Sequence, residues 1–321
     1  MNGVPQRVVL AFALLLLPAV AQVQPIPTGS ISVVVPLAPG DAADIAARAM
    51  GEEISKLLNT SVVVINRPGA GGAIGTRSVV QARKDGHTIL FAQNSALTFR
   101  AVVDPQSVGY DALRDLVPLG IASRTPSILV VRSDAPYRHF AELIEYSMRK
   151  PDQLRIGHPG AGSVGEFCVH LINALTGAKL VPVPYTGAAP AIAALRGGHI
   201  EGVVLSLGAL STHIKSGAFR GLVTSSRFPE FADIPTMGEL GYQKELLGIW
   251  FSFLAPAGIP EAARNALVGA IEQAVKAPAI TARLAPLGIL QSYATPEQTT
   301  TEIREELKRV SEMGRTTGLL K

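Results

Sequence analysis

Two glycine-rich junctions between a strand and a helix constrain this chain more than any other feature. The first reads Val33-Val34-Val35-Pro36-Leu37-Ala38-Pro39-Gly40-Asp41-Ala42-Ala43-Asp44, and the second Val62-Val63-Val64-Ile65-Asn66-Arg67-Pro68-Gly69-Ala70-Gly71-Gly72. Each begins as a β-branched run of the kind buried on both faces of a parallel sheet. Each then passes through a tight turn in which glycine relieves the backbone, and enters a helical pattern. Two such turns on one sheet aim backbone N–H groups at a shared crevice beyond the carboxyl ends of the strands.

The rest of the chain keeps that rhythm. Residues 30–36, 62–65 and 87–91 read as strands, with helices over 42–58 and 73–82; Ile45, Met50, Ile54 and Leu57 mark the apolar face of the first helix. A second series places strands at 128–131, 154–157, 181–184, 200–205 and 219–223. Its helices fall at 140–149, 164–176, 188–196 and 207–215. Beyond Trp250 the pattern is mostly helical (261–276, 280–285, 296–313) and has too few strands for a third sheet. The expected class is therefore α/β with mainly parallel sheets in two lobes. The expected divisions are 22–122 for the start of the first lobe, 123–247 for the second lobe, and 248–321 for a return to the first. The two crossings then fall near 122–126 and 245–253 and form a hinge.

The amino terminus reads as an export signal. Arg7 is followed by an apolar run over 8–20, and Ala19-Val20-Ala21 is a small-x-small cleavage pattern. Residues 1–21 are thus expected to be removed after Ala21, leaving Gln22 first. The run is short for a membrane span, no later stretch reaches spanning length, and no cysteine near the cut could carry a lipid. The single cysteine, Cys168, excludes an internal disulfide and lies in an apolar helical pattern, as a small buried hydrophobe would. The formal charge of +4 is spread among scattered bases with few aromatics. Nothing there builds a phosphate track or a base-stacking platform, so no nucleic-acid partner is expected.

At the first junction Gly40 permits a close approach. Asp44 sits in the first turn of the helix, either as a cap or as a brace that reaches a ligand through an N–H or a water. The second junction is not a dinucleotide loop, because Ile74 stands where the third glycine belongs, and no Lys-Ser or Lys-Thr makes it a Walker loop. What remains is a row of N–H donors suited to a carboxylate. A third junction, His158-Pro159-Gly160-Ala161-Gly162-Ser163-Val164-Gly165-Glu166, holds a Ser-x-x-Glu capping box. Ser163 either caps its helix there or offers its hydroxyl to a second polar end of a solute. It is no nucleophile elbow, since Ala161 occupies the required glycine position. Tyr185, Thr186 and Gly187 form a fourth strand end, where Tyr185 presents a flat face and a hydroxyl. The six histidines are dispersed without ligand spacing. No metal, cofactor or catalytic group is expected.

This ordered series resembles the tripartite tricarboxylate transporter receptor family, the TctC-like or Bug periplasmic solute-binding proteins, over nearly all of the mature chain. The resemblance rests on Pro36-Leu37-Ala38-Pro39-Gly40 with Asp44 and Arg48, on Asn66 to Gly72 with Gly75, and on Asp85-Gly86. It continues through Gly160, Gly162-Ser163, Pro184-Tyr185 with Gly187, Gly197-Gly198, Pro235-Thr236 with Glu239 and Gly241, and Trp250 with Pro256. It implies a two-lobed periplasmic binding protein fold of type II-like form with a ligand cleft between the lobes. It also implies capture of a small organic acid, a mono- or dicarboxylate, for a separate membrane transporter, by a monomeric receptor that does not itself span the membrane. The implied ligand-binding residues are Leu37, Ala38, Gly40, Asp44, Pro68, Gly69, Ala70, Gly71, Gly72, His158, Gly162, Ser163, Tyr185 and Thr186. An exported solute sensor with a membrane signalling partner, and a secreted two-domain enzyme, are the alternatives. The chain departs from the family pattern at Leu37 (commonly phenylalanine), Asp41 (glycine), His158 (often serine) and Glu166 (commonly histidine). Asp41 and Glu166 put negative charge beside the proposed anion sites. Either they turn inward as caps or the solute also carries nitrogen.

Overall fold

The structure, a computed structural model, describes residues 29–320; the export segment and its cut after Ala21 lie outside the described residues. In chain order the elements of the first lobe are β1 (Ile31–Val35), α1 (Ala42–Leu58), β2 (Val62–Asn66), α2 (Ala73–Val80) and β3 (Thr88–Gln93). A π-helical turn, Ser95–Phe99, then runs into α3 (Arg100–Val103), followed by α4 (Pro105–Val108) and β4 (Leu116–Thr125). The second lobe holds β5 (Ser127–Arg132), α5 (Phe140–Arg149), β6 (Leu154–His158), α6 (Val164–Thr176) and β7 (Leu180–Pro184). It continues with α7 (Ala188–Arg196), β8 (Gly202–Ser206), α8 (Leu207–Lys215) and β9 (Phe219–Thr224). The chain closes with β10 (Ile249–Pro256), α9 (Glu261–Lys276), α10 (Pro278–Leu284), β11 (Leu290–Ala294) and α11 (Pro296–Thr316).

Two sheets result. One is six-stranded, in the order β11-β4-β10-β3-β1-β2, and the other five-stranded, in the order β7-β6-β8-β5-β9. The strands whose carboxyl ends carry the glycine junctions are parallel: β1 with β2 and β3, and β6 with β7 and β8. The rest pair antiparallel, so each sheet is mixed rather than mainly parallel. The cause is the pair of crossings. β4 ends in the first sheet at Thr125, and after Pro126 the chain enters the second sheet as β5. It returns as β10, whose Ile249 and Trp250 pair with Thr125 and Arg124. The outgoing and returning segments are thus antiparallel neighbours, and a strand that has just crossed runs against those already in place.

Two strands of the carboxyl-terminal segment, β10 and β11, pair within the six-stranded sheet, and the sequence pattern hides both. All of β10 is buried, and its Phe253 ring lies 4.5 Å from that of Phe91. A strand covered on both faces shows no polar alternation, so Ile-Trp-Phe-Ser-Phe-Leu-Ala-Pro has no period to read. The same lobe holds a buried carboxylate. Glu306 on α11 accepts hydrogen bonds from Asn94 Nδ2 (2.8 Å), Trp250 Nε1 (3.1 Å) and Thr98 Oγ1 (2.7 Å). These tie the last helix to the returning strand and to the π-turn; burial pushes the carboxyl up to about 7.

Candidate functional site

The carboxyl ends of β1, β2, β6 and β7 converge on a cavity of about 370 Å³ between the lobes. The first lobe contributes Pro36 and Leu37 after β1, Pro68 to Gly72 after β2, and Arg100 from α3. The second lobe contributes Pro159, Gly160 and Ala161 after β6, and Pro184, Tyr185 and Thr186 around the end of β7. The Gly69–Gly72 turn holds its shape through positive φ at Gly69 (125°), Gly71 (62°) and Gly72 (94°). A methyl on Gly71 would lie 2.7 Å from the Ala161 carbonyl oxygen of the opposite lobe. The two loops therefore meet across the cleft with no room for a side chain between them.

Four helices begin at these junctions, and their amino termini differ. At α1, Asp41 accepts from the Ala43 N–H (3.2 Å), and Asp44 accepts from the Gly40 N–H (3.0 Å), Arg48 Nε (3.0 Å) and Asn66 Nδ2 (3.0 Å). Burial pushes the Asp41 carboxyl up to about 6. Burial also acts to raise Asp44, but Arg48, the Gly40 amide and Asn66 together hold it below the usual carboxylate range. At α6, Ser163 accepts from the Glu166 N–H (3.2 Å), while the Glu166 carboxylate accepts from the Gly162 N–H (2.6 Å). The Ser-x-x-Glu box is thus half formed: the Ser163 amide is bonded to Gly160 O (3.1 Å), and Glu166 reaches one residue further back. Burial raises the Glu166 carboxyl, opposed by the nearby charge of Arg100. Both acids that depart from the family pattern are therefore caps. In contrast, α2 and α7 have neither a side-chain cap nor an acidic residue in the first turn, and their lead-in loops form facing walls of the cavity. The first-turn amides of these two helices have no acidic side chain of their own helix to answer them.

The sequence-expected residues separate into distinct places. Leu37, Pro68, Gly69, Ala70, Gly71, Gly72, Tyr185 and Thr186 line the cavity. Asp44, His158, Gly162 and Ser163 stand behind the wall and brace its loops. The buried His158 ring donates from Nδ1 to Gly160 O (3.0 Å), and burial pulls it down to about 4, so it is neutral. Ala38 faces the other lobe, where a methyl on Gly187 would sit 3.4 Å from its Cβ. Gly40 borders a separate groove of about 660 Å³ with Ile45, Ala188 and Gly208.

Arg100 is the lining residue that the sequence reading passes over, and it is the one charged side chain among the described residues of the cavity wall. It is buried, donates from Nη1 to Ala161 O of the other lobe (3.3 Å), and pairs through Nη2 with Asp104 Oδ2 (3.1 Å). The π-turn before it delivers it there, a local widening of the helix often found at functional positions. The signal was the polar run Gln93-Asn94-Ser95 at the end of β3, which marks a further junction at the same end of the first sheet as the first two.

Residues 46–319 match the model of the TctC family, described as the tripartite tricarboxylate transporter family receptor. Protein BugT of Bordetella pertussis is 32% identical over 294 residues, which cover 91% of this chain and 90% of that protein. Among solved structures, the periplasmic binding protein BugD is 29% identical with a TM-score of 0.86, covering 91% of this chain and 99% of its own. R. palustris Rpa4515, solved with adipate, is 26% identical with a TM-score of 0.87, covering 91% and 98%.

Proposed function

The chain belongs to the tripartite tricarboxylate transporter receptor family, and on that premise we propose that it works in the periplasm as a receptor that captures a small organic carboxylate between its lobes for a separate membrane transporter. The observation that carries this reading is the contrast among the four helix starts around one cavity. Two are already occupied by the protein's own carboxylates, and the loops that lead into the two without a side-chain cap line the cavity from opposite lobes. A cavity of about 370 Å³ gives ample room for a small acid. The adipate bound to the R. palustris relative is of the same chemical class.

In this reading Leu37, Pro68 to Gly72, Tyr185 and Thr186 touch the solute. Asp44, His158, Gly162 and Ser163 set the shape of the loops, Ala38 acts in lobe contact, and Gly40 turns its loop away from the solute. Because Asp41 and Glu166 serve as caps, the solute needs no nitrogen to answer them. Binding is reversible capture: the acid gains contacts from both lobes only when they are closed, and so shifts the population toward the closed state. The mature protein is a monomer beginning at Gln22. Among the described residues no helix is long and apolar enough to cross a membrane.

The test is native mass spectrometry of protein recovered from the periplasm, followed by thermal shift against mono- and dicarboxylates. The expected result is a mature mass starting at Gln22 that carries one small acid, released on gentle activation. Recovery of ligand-free protein that no carboxylate stabilises would overturn the proposal.

A further inference from the structure

We infer that Arg100 is the residue that makes this cavity select a full negative charge, so that the receptor discriminates acids from their neutral amides through a side chain and not through backbone donors alone. The inference rests on the carboxylate reading above and names the group that enforces it. Backbone N–H groups favour a carboxylate but also accept an amide carbonyl as a partner, so they discriminate less sharply than a fixed charge does. A guanidinium adds a fixed charge, and in a site from which water is displaced its preference for an anion is strong.

The surroundings of Arg100 are built to hold that charge in place. Its stem runs between the two glycine loops of opposite lobes. A methyl on Gly162 would lie 2.4 Å from its Cδ, and one on Gly71 would lie 2.9 Å from the same atom. Both glycines have positive φ, 71° and 62°. The absence of side chains at these two positions therefore leaves a slot for one long side chain. At the far end, the bond to Ala161 O and the pair with Asp104 anchor the buried guanidinium where it borders the cavity. The π-turn that delivers Arg100 is itself clamped, through Thr98 and Asn94, to the buried Glu306. A charge held this firmly does not have to be organised when the ligand arrives. The remaining lining is proline, leucine, tyrosine, threonine and small residues, so no other side chain of the wall offers a charge in its place.

The experiment is calorimetry with matched acid and amide pairs: hexanoate and hexanamide, adipate and adipamide, benzoate and benzamide. The folded wild-type protein is compared with Arg100→Gln and Arg100→Lys at low and moderate salt. The expected result is that Arg100→Gln weakens the tightest acid by about ten- to hundredfold, as for loss of a charged hydrogen bond. Amide affinity is expected to change less than about threefold, within the spread of a neutral contact. Arg100→Lys keeps the charge without the planar fork, so it should keep the acid preference at reduced affinity. A purely structural arginine would move acid and amide together, and that parallel loss, or an unchanged acid affinity in Arg100→Gln, would overturn the inference. A wild-type protein that binds none of the acids would instead overturn the carboxylate reading itself, and this inference with it. Should Arg100→Gln fail to fold, the acid-to-amide ratio of Arg100→Lys decides: a ratio that collapses although the charge remains refutes selection by charge.

Discussion

Adding one methyl group at Gly71 should separate the stability of the lobes from their ability to close. In Gly71→Ala the new Cβ would stand 2.7 Å from the Ala161 carbonyl oxygen and 2.9 Å from Arg100 Cδ. Restoring an ordinary contact requires the loops to part by about 0.7 Å, and a gap of that size forfeits a quarter to a half of each van der Waals well along the seam. Overpacking of this kind costs about 1–3 kcal/mol; the clash with Arg100 lies within one lobe, while the clash with Ala161 falls on the closed state alone and should lower ligand affinity by about 5- to 150-fold. The backbone contributes separately. At φ of 62° an alanine is strained by about 1–2 kcal/mol in open and closed forms alike, which lowers Tm without touching affinity. Gly40→Ala supplies the control: its φ is 82°, but a methyl there meets nothing within 4 Å. Calorimetry against the tightest acid of a carboxylate panel, with thermal unfolding alongside, should find both variants less stable and only Gly71→Ala weak in binding. Equal affinity in Gly71→Ala and wild type, or an equal loss in Gly40→Ala, would refute the claim that contact across the cleft sets the closed state.

Two buried groups should tilt stability with pH in opposite directions. Glu306 is raised to about 7 in the folded protein, so its contribution is complete below its ordinary value near 4.5 and is lost as pH rises through 7. Relative to wild type, Glu306→Gln should therefore gain about 3 kcal/mol between those limits in urea unfolding, and a pH-independent difference would contradict this. His158 is depressed to about 4, so its contribution is present above 6.5 and lost as pH falls through 4; His158→Asn should gain a similar amount on acidification. Cys168 is buried beside Ser127 Oγ (3.5 Å) and Leu247 O (3.9 Å), and burial pushes its thiol up to about 11. Iodoacetamide should leave it unmodified in the native protein and label it fully in urea, whereas rapid native labelling would show that the crossing segments open in solution.

What the sequence determined by itself is local. Short apolar runs, valine-rich in β1 and β2, followed by glycine turns and helical periods announce β1, β2, β6 and β7 with their helices, because strand propensity and left-handed turns leave marks within a dozen residues. The caps Asp41 and Ser163 are legible for the same reason: a cap bonds amides two or three residues away. Only the tertiary structure decided which junctions share a cavity. Gly40 has the composition of a ligand loop yet borders another groove, while Arg100, without a motif around it, stands in the wall beside Gly71. β10 stayed hidden because a strand buried on both faces has no alternation, and its antiparallel place between β3 and β4 follows from where the chain crosses back. Contacts between lobes depend on the angle at which two separately folded sheets meet. That angle is set by packing at the hinge between segments more than a hundred residues apart in sequence, so it leaves no local pattern.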